Sequence, residues 1–258
     1  MLFVNTRPQD RAQALTLALS EQNIEVVELP LLELKAIEFS AKLAALYQQL
    51  LSSEVIVVVS PTAVEIGMQY LQKSGLHLSQ LAHIQWIAVG LKTAQVLAQY
   101  GIHASIPDVE TSEGMLQLPM LQQLTKGSQV AFWRGEGGRQ FMMQQLQKQG
   151  MQILNMLLYR RQCPKISEQQ IPLLAQKIQH AADVVVLISS EASWANWQML
   201  WQHQLHSIKH VHYMVLGQRV AQLLQQDCEQ LNLAPQITVL DTLQPATIVQ
   251  TLRAQGNT

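Results

Sequence analysis

The sequence predicts an α/β protein built as two similar domains, each a parallel sheet flanked by helices. Three observations predict it. Short apolar, β-branched runs alternate along the chain with longer stretches of helical periodicity, the pattern of right-handed βαβ units. The runs are continuously apolar, as in Val55-Ile56-Val57-Val58-Val59, which suits strands covered on both faces. Three landmarks also recur in one order at nearly one offset. Arg7 and Arg134 close similar runs 127 residues apart, Ser60 and Ser189 lie 129 apart, and Gly90 and Gly217 lie 127 apart. All βαβ units resemble one another to some degree, but a near-constant offset favours a tandem of related, doubly wound (flavodoxin-like) domains.

The elements follow in order. Leu2-Phe3-Val4 reads as the first strand, with a helix over 10–22, and 24–27 is the next strand, with a helix over 41–51. The run 55–59 leads into a helix over 63–73, and Ser60-Pro61-Thr62 between them supplies cap residues. Strands at 84–89 and 130–133 lead into helices at 93–100 and 138–149. Strands at 152–158, 184–188, 212–216 and 237–240 complete the pattern, with helices at 193–204 and 218–226. No segment rich in Pro, Gly or Ser separates the halves. The polar stretch Arg160-Arg161-Gln162-Cys163-Pro164-Lys165 is the first candidate for a crossing between domains, and Leu34-Lys35-Ala36 is the second. Gln is abundant but scattered through helices, as on a solvated surface.

Composition narrows the function. The 258 residues fit one large or two small domains, and 48% hydrophobic residues suffice for buried cores. A formal net charge of −1 provides no general attraction to nucleic acid or anionic membranes. The apolar runs are all far shorter than the ~20 residues of a membrane span, and the start lacks the basic and long apolar regions of a signal peptide. A soluble, cytoplasmic protein is expected. The two cysteines, Cys163 and Cys228, fit no CxxC or zinc spacing and read as free thiols of a reducing compartment.

Open parallel sheets bind ligands beyond the C-terminal ends of their strands, so the residues just after each strand matter most. Basic residues number only 17, yet seven fall there: Arg7, Lys92, Arg134, Arg139, Arg160, Arg161 and Arg219. Beside them stand Thr6, Ser60, Thr62, Thr93, Ser189 and Ser190, the glycines Gly135, Gly138 and Gly217, and Gln218. Helix N-termini follow closely. Exposed N–H groups with fixed positive charge suit a polyanionic ligand such as a polycarboxylate. Singly, each Arg reads as a surface charge and each hydroxyl as a helix cap, and the signal lies in the set. Other chemistries lack their motifs. Gly135-Glu136-Gly137-Gly138 has Gln140 where a dinucleotide loop needs Gly, and no P-loop, nucleophile elbow or zinc-protease motif occurs. His203, His206, His210 and His212 lack a Cys or carboxylate at ligand spacing and read as surface histidines. Trp194, Trp197 and Trp201 share one helical stripe, which reads as packing.

The ordered set resembles the uroporphyrinogen-III synthase family across nearly the whole chain. The matching pieces are Thr6-Arg7-Pro8, the run from Val58 through Ser60-Pro61-Thr62 to Val64, and Ala88-Val89-Gly90-Leu91-Lys92-Thr93-Ala94. They continue with Thr111-Ser112-Glu113-Gly114, Arg134-Gly135-Glu136-Gly137-Gly138-Arg139, Leu158-Tyr159-Arg160-Arg161, Ser189-Ser190 and Val215-Leu216-Gly217. The resemblance implies interleaved domains joined by a two-stranded connection: 1–34 with 165–258, and 37–160, with the active site in a cleft between them. The repeat alone would cut the chain once, near 127. It implies closure of hydroxymethylbilane to uroporphyrinogen III in tetrapyrrole biosynthesis, with loss of water and inversion of the last ring. The substrate carries eight carboxylates. No cofactor, metal or nucleic-acid partner is implied, and a monomer is expected. Tyr159 matches the family's tyrosine and is the candidate general acid. One departure is Val220 within Gly217-Gln218-Arg219-Val220-Ala221, where relatives often carry Thr. The rival readings are a non-catalytic two-domain sensor of an anionic metabolite and a nucleotide-using transferase.

Overall fold

The structure, a computed structural model, describes residues 1–231, 233 and 235–256. The strands are β1 (Leu2–Asn5), β2 (Glu25–Glu28), β3 (Glu33–Ala36), β4 (Ser53–Val58), β5 (Gln85–Ala88) and β6 (Ala104–Ser105). After them come β7 (Gln129–Gly135), β8 (Gln152–Gln162), β9 (Val184–Ile188), β10 (His212–Leu216) and β11 (Ile237–Leu240). The chain divides into two compact units. Unit 1 comprises the chain up to Glu33 and from Gln162 onward, and unit 2 is Leu34–Arg161.

Unit 1 holds a five-stranded sheet in the order β11-β10-β9-β1-β2, with each paired neighbour parallel. Unit 2 holds six strands in the order β3-β8-β7-β4-β5-β6, parallel from β8 to β6. Read across, β11-β10-β9-β1-β2 of unit 1 matches β6-β5-β4-β7-β8 of unit 2 position for position. The two sheets share one strand order, circularly permuted along the chain. The repeated landmarks fall on matching strands: Ser189 follows β9 as Ser60 follows β4, and Gly217 follows β10 as Gly90 follows β5. Arg7 lies just past the end of β1, while Arg134 is the last residue but one of β7.

Both sheets are covered on both faces, and pleat alternation sorts each strand between two cores. In β4, Ile56 and Val58 enter one cluster while Val55 and Val57 enter another. In β9, Val184, Val186 and Ile188 divide in the same way from Val185 and Leu187. Trp194, Trp197 and Trp201 are fully buried against Tyr213 and Val215, a packing stripe. The helices after the two central strands start alike. The Ser60 hydroxyl accepts the Ala63 N–H at 3.1 Å, with Pro61 at the first helical position, and the Ser190 hydroxyl accepts the Ser193 N–H at 3.1 Å.

Some elements differ from the sequence reading. The chain crosses between the units within 160–165, at Arg161–Gln162, but it does so as a strand. β8 continues through Arg160 and Arg161 to Gln162, and its end is paired with β3. The Ile37 N–H donates to the Leu158 carbonyl at 2.9 Å, and the Gln162 amide donates to the Glu33 carboxylate at 2.6 Å, so the two strands run in opposite directions. Exposed polar residues hid this strand end. The helix Lys165–His180 escaped the periodicity because Pro172 sits inside it, removing one donor and interrupting the pattern. The helix Pro245–Gly256 was missed as well. The helix expected from Gly138 starts at Phe141, because Gly137 and Gly138 adopt φ of 77° and 74°. Among the described residues no helix is long and apolar enough to cross a membrane.

One contact in unit 2 tests the tightness of the core. Trp133 stacks edge-on to Trp86 at 5.3 Å and lies against Gly67, where an added Cβ would overlap the indole ring. Gly67→Ala should cost about 1–3 kcal/mol through overpacking, read as a lowered urea midpoint, and Trp133→Phe in the same chain should recover part of the loss.

Candidate active site

The two sheets reverse their strand order at equivalent points: between β1 and β9 in unit 1, and between β4 and β7 in unit 2. Ligands of open α/β sheets bind beyond the carboxyl ends of strands at such points. In unit 2 a cavity of about 230 Å³ lies there, with Ser60 after β4, Val89 after β5, Arg134 and Gly135 ending β7, and Tyr159 and Arg161 near the end of β8. Phe132, Met115, Met142 and Met143 give it an apolar wall.

Tyr159 reaches this cavity through a register shift. Arg134 pairs with Leu157 but Gly135 pairs with Tyr159, so β8 carries one extra residue here. Such a bulge re-aims side chains. The Glu136 N–H then donates to the Tyr159 carbonyl at 2.7 Å. The Tyr159 ring packs onto Gly135, where an added Cβ would overlap it. The phenol is only 4% exposed, and its oxygen lies 3.0 Å from the Ser60 hydroxyl. Ser60 also caps its helix, so the hydroxyl the sequence reads as a cap performs that task and holds Tyr159.

Arg134 lines the cavity, as the sequence reading expects of a site residue, but its guanidinium is not a free charge. It is 6% exposed and folds back along its own loop. Its Nε donates to the Gly135 carbonyl at 3.2 Å, one terminal nitrogen to the carbonyls of Gly137 and Gly138, and the other lies 3.6 Å from the Met143 sulfur. Burial draws its pKa below the ordinary guanidinium value, while Tyr159 acts in the opposite direction. The C=O and N–H of one peptide point opposite ways. Gathering these carbonyls therefore turns the N–H groups of Glu136, Gly138 and Arg139 away from the guanidinium. Gly137 and Gly138 permit the turn because their backbones are left-handed.

The remaining residues of unit 2 divide by position. Arg139 lines the cavity, is exposed, and pairs with Glu113 at 2.7 Å. The Glu113 carboxyl is held below the usual carboxylate range, first by its own backbone N–H and then by Arg139. Thr62 is half-buried and Lys92 exposed at their helix starts, and neither lines the cavity. Thr93 is buried, so its side chain serves the core. The Leu91 N–H donates to the Glu110 carboxylate at 2.8 Å. The sequence reading missed Glu110 and the three methionines, and named Ser112 only within the family-like run Thr111-Ser112-Glu113-Gly114. Only the pair Met142-Met143 within an expected helix hinted at a wall.

In unit 1 the reversal point holds Thr6, but its buried hydroxyl donates to the Leu187 carbonyl of β9. That bond stitches β1 to β9, so Thr6 is structural there. Arg7 is half-buried and donates to the Leu243 carbonyl at 3.3 Å. Ser189 and Ser190 are half-buried, and the Ser190 hydroxyl lies 2.8 Å from that of Ser193. Gly217 has φ 77°, Gln218 is exposed, and Arg219 pairs with Glu191 at 2.5 Å. Val220 packs into the core. Among the described residues no group of three or more His, Cys, Asp or Glu side chains is arranged to hold a metal.

Because Gly135 and the Tyr159 ring occupy adjoining space, Gly135→Ala should displace the phenol and break its contact with Ser60. Turnover should fall at least tenfold while far-ultraviolet circular dichroism stays native. Unchanged turnover would show that the phenol's placement is not needed.

A family model described as uroporphyrinogen-III synthase HemD matches residues 13–240 of the chain. A protein of Salmonella typhimurium named uroporphyrinogen-III synthase is 26% identical over 226 residues, covering 86% of this chain and 90% of that protein. Among solved structures, a mutant uroporphyrinogen III synthase from Thermus thermophilus superposes with a TM-score of 0.60 at 14% identity, covering 100% of this chain and 99% of its own. The Helicobacter pylori uroporphyrinogen-III synthetase superposes at 0.54 with 10% identity, covering 98% of both chains. At these identities the structures speak for the fold.

Proposed function

The chain belongs to the uroporphyrinogen-III synthase family, and from that premise we propose that it closes hydroxymethylbilane to uroporphyrinogen III. The observation that carries this reading is the cavity at the strand-order reversal of unit 2. It combines a buried phenol, a loop whose N–H groups are turned outward, exposed Arg139 and Arg161, and an apolar wall. A flexible substrate made of apolar pyrroles and eight carboxylates needs all of these.

The reaction asks mainly for a leaving oxygen and a folded chain. The carbon–oxygen bond of the hydroxymethyl group breaks with both electrons going to oxygen. Tyr159 donates its phenolic proton to that oxygen, so water departs and an azafulvene cation remains. The terminal pyrrole attacks the methylene carbon of the cation through its own substituted carbon, giving a spiro intermediate whose rearrangement inverts the ring. The proton finally lost from the closing ring restores the phenol. Ser60 holds the phenol in place. Holding the two chain ends together supplies much of the rate, since positioning alone is worth as much as ~7–11 kcal/mol in well-oriented systems.

Carboxylates are assigned to Arg139 and to the Gly138 and Arg139 N–H groups, with Gly135 and Arg134 shaping the loop. Lys92, Thr62 and Thr93 belong to helix starts of unit 2 that offer further N–H groups. In unit 1 the corresponding elements are Arg7, Ser189, Ser190, Gly217, Gln218 and Arg219, with Thr6 fixing the strands beneath them.

Purified protein given freshly made hydroxymethylbilane should yield the type III isomer, and spontaneous type I ring alone would overturn the reading. Tyr159→Phe should lower turnover severalfold or more with the melting temperature within a few degrees of the parent. Parent-like turnover would remove Tyr159 from the reaction.

A further inference from the structure

We propose that Glu110 and Glu113 are specificity-determining residues that act as internal carboxylates. Each occupies, in cis, a position suited to a substrate carboxylate, so that a ligand displaces both only if it is long enough to bring carboxylates to the two positions at once. This rests on the polycarboxylate reading above.

Both residues lie on one short strap that borders the cavity of unit 2. Ser112 and Met115 from the strap line that cavity, as does Arg139, the partner of Glu113. Glu110 reaches the start of the helix Leu91–Gln99, where one carboxylate oxygen takes the Leu91 N–H at 2.8 Å. Free N–H groups and the helix dipole favour an anion there. The strap thus covers both anion-ready features near this end of the sheet, the Gly90 turn and Arg139.

The strap is fitted to its seat. An added Cβ at Gly90 would overlap the Glu110 carboxylate, and one at Gly114 would overlap the Val109 carbonyl. Within the strap the Thr111 N–H donates to the Val109 carbonyl at 2.6 Å, and the Thr111 hydroxyl accepts the Gly114 N–H at 3.0 Å. Two glycines and a closed turn hold the carboxylates at fixed places. The carboxylates themselves are exposed, so solvent and salt screen their hold.

An internal group competes at an effective concentration of order millimolar. A small carboxylate such as citrate, which engages one position at a time, must beat that concentration at each position alone. A ligand with eight carboxylates displaces both Glu residues in one event, since its second contact is itself intramolecular. The strap would therefore admit the bilane and exclude small carboxylates at ordinary concentrations.

The experiment compares the parent chain, Glu110→Gln/Glu113→Gln, and the charge-matched control Glu54→Gln/Glu65→Gln, whose side chains are exposed on β4 and on the helix Pro61–Lys73. Gln keeps an acceptor at 110, so the strap retains its seat. Citrate binding is measured by calorimetry and bilane kinetics by product isomer. The strap variant should bind citrate at least tenfold more tightly than parent and control. Its KM for bilane should fall severalfold with kcat within twofold. Citrate affinity and KM equal to the control's would overturn the proposal. If the double variant folds poorly, Glu113→Gln alone carries the citrate arm, with half the logarithmic gain expected. Absence of type III product from the parent would sink the enzyme reading, and the citrate comparison would still decide whether the strap competes with carboxylates.

Discussion

Burying Arg134 beneath the end of β7 takes a full positive charge out of water, which costs several kcal/mol unless the charge is well solvated by the protein. Among the described residues the compensation comes from peptide carbonyls and a thioether rather than a carboxylate. That choice has consequences. A carboxylate partner would neutralise the site and leave the loop free. Carbonyl partners leave the charge in place and fix the loop's direction. The glycines at 137 and 138 are needed because the loop must bend tightly enough for its carbonyls to reach one guanidinium. Tyr159, packed on Gly135 and bonded to Ser60, closes the other side of the same corner.

The two units give this corner a counterpart without repeating it. Both sheets have the same strand order, and in both a serine follows the central strand on one side of the reversal. On the other side they diverge. Unit 2 places Arg134 within β7, buried, whereas unit 1 places Arg7 past the end of β1, half-buried, with its side chain bonded to the Leu243 carbonyl. Unit 1 uses the Thr6 hydroxyl to stitch its central strands, where unit 2 uses the bulk of Trp133 beneath the equivalent point. One topology thus supports two differently equipped strand ends.

What the sequence disclosed follows from which interactions are local. The run 55–59 is legible because a strand buried on both faces has no polar position. The caps at Ser60 and Ser190 are legible because a hydroxyl before a helical pattern has a local partner. The direction of a side chain is not local. Arg134 announces its charge, but the three glycine-loop carbonyls that turn it inward depend on two left-handed residues downstream. Thr6 looks like other strand-end hydroxyls, and only the adjacency of β1 and β9, 181 residues apart at the bond, buries it. Tyr159 could be named from its family pattern, yet its contact with Ser60 depends on a one-residue bulge. Leu157, Leu158 and Tyr159 suit a strand equally well in either register. The helix Lys165–His180 was hidden because Pro172 breaks the expected pattern while the helix tolerates it.

Recognition through backbone N–H groups, as proposed for this site, would be faint in sequence. A carboxylate bound by peptide N–H groups at a helix start or a glycine turn requires a backbone shape, and many side chains share that shape. Val220 illustrates the point. The family resemblance leads one to expect a hydroxyl there, whereas in this chain the position is apolar and buried in the core of unit 1. The preceding turn keeps its left-handed glycine at Gly217 and opens the helix Gln218–Gln230. The backbone arrangement of that turn therefore does not depend on a hydroxyl at 220.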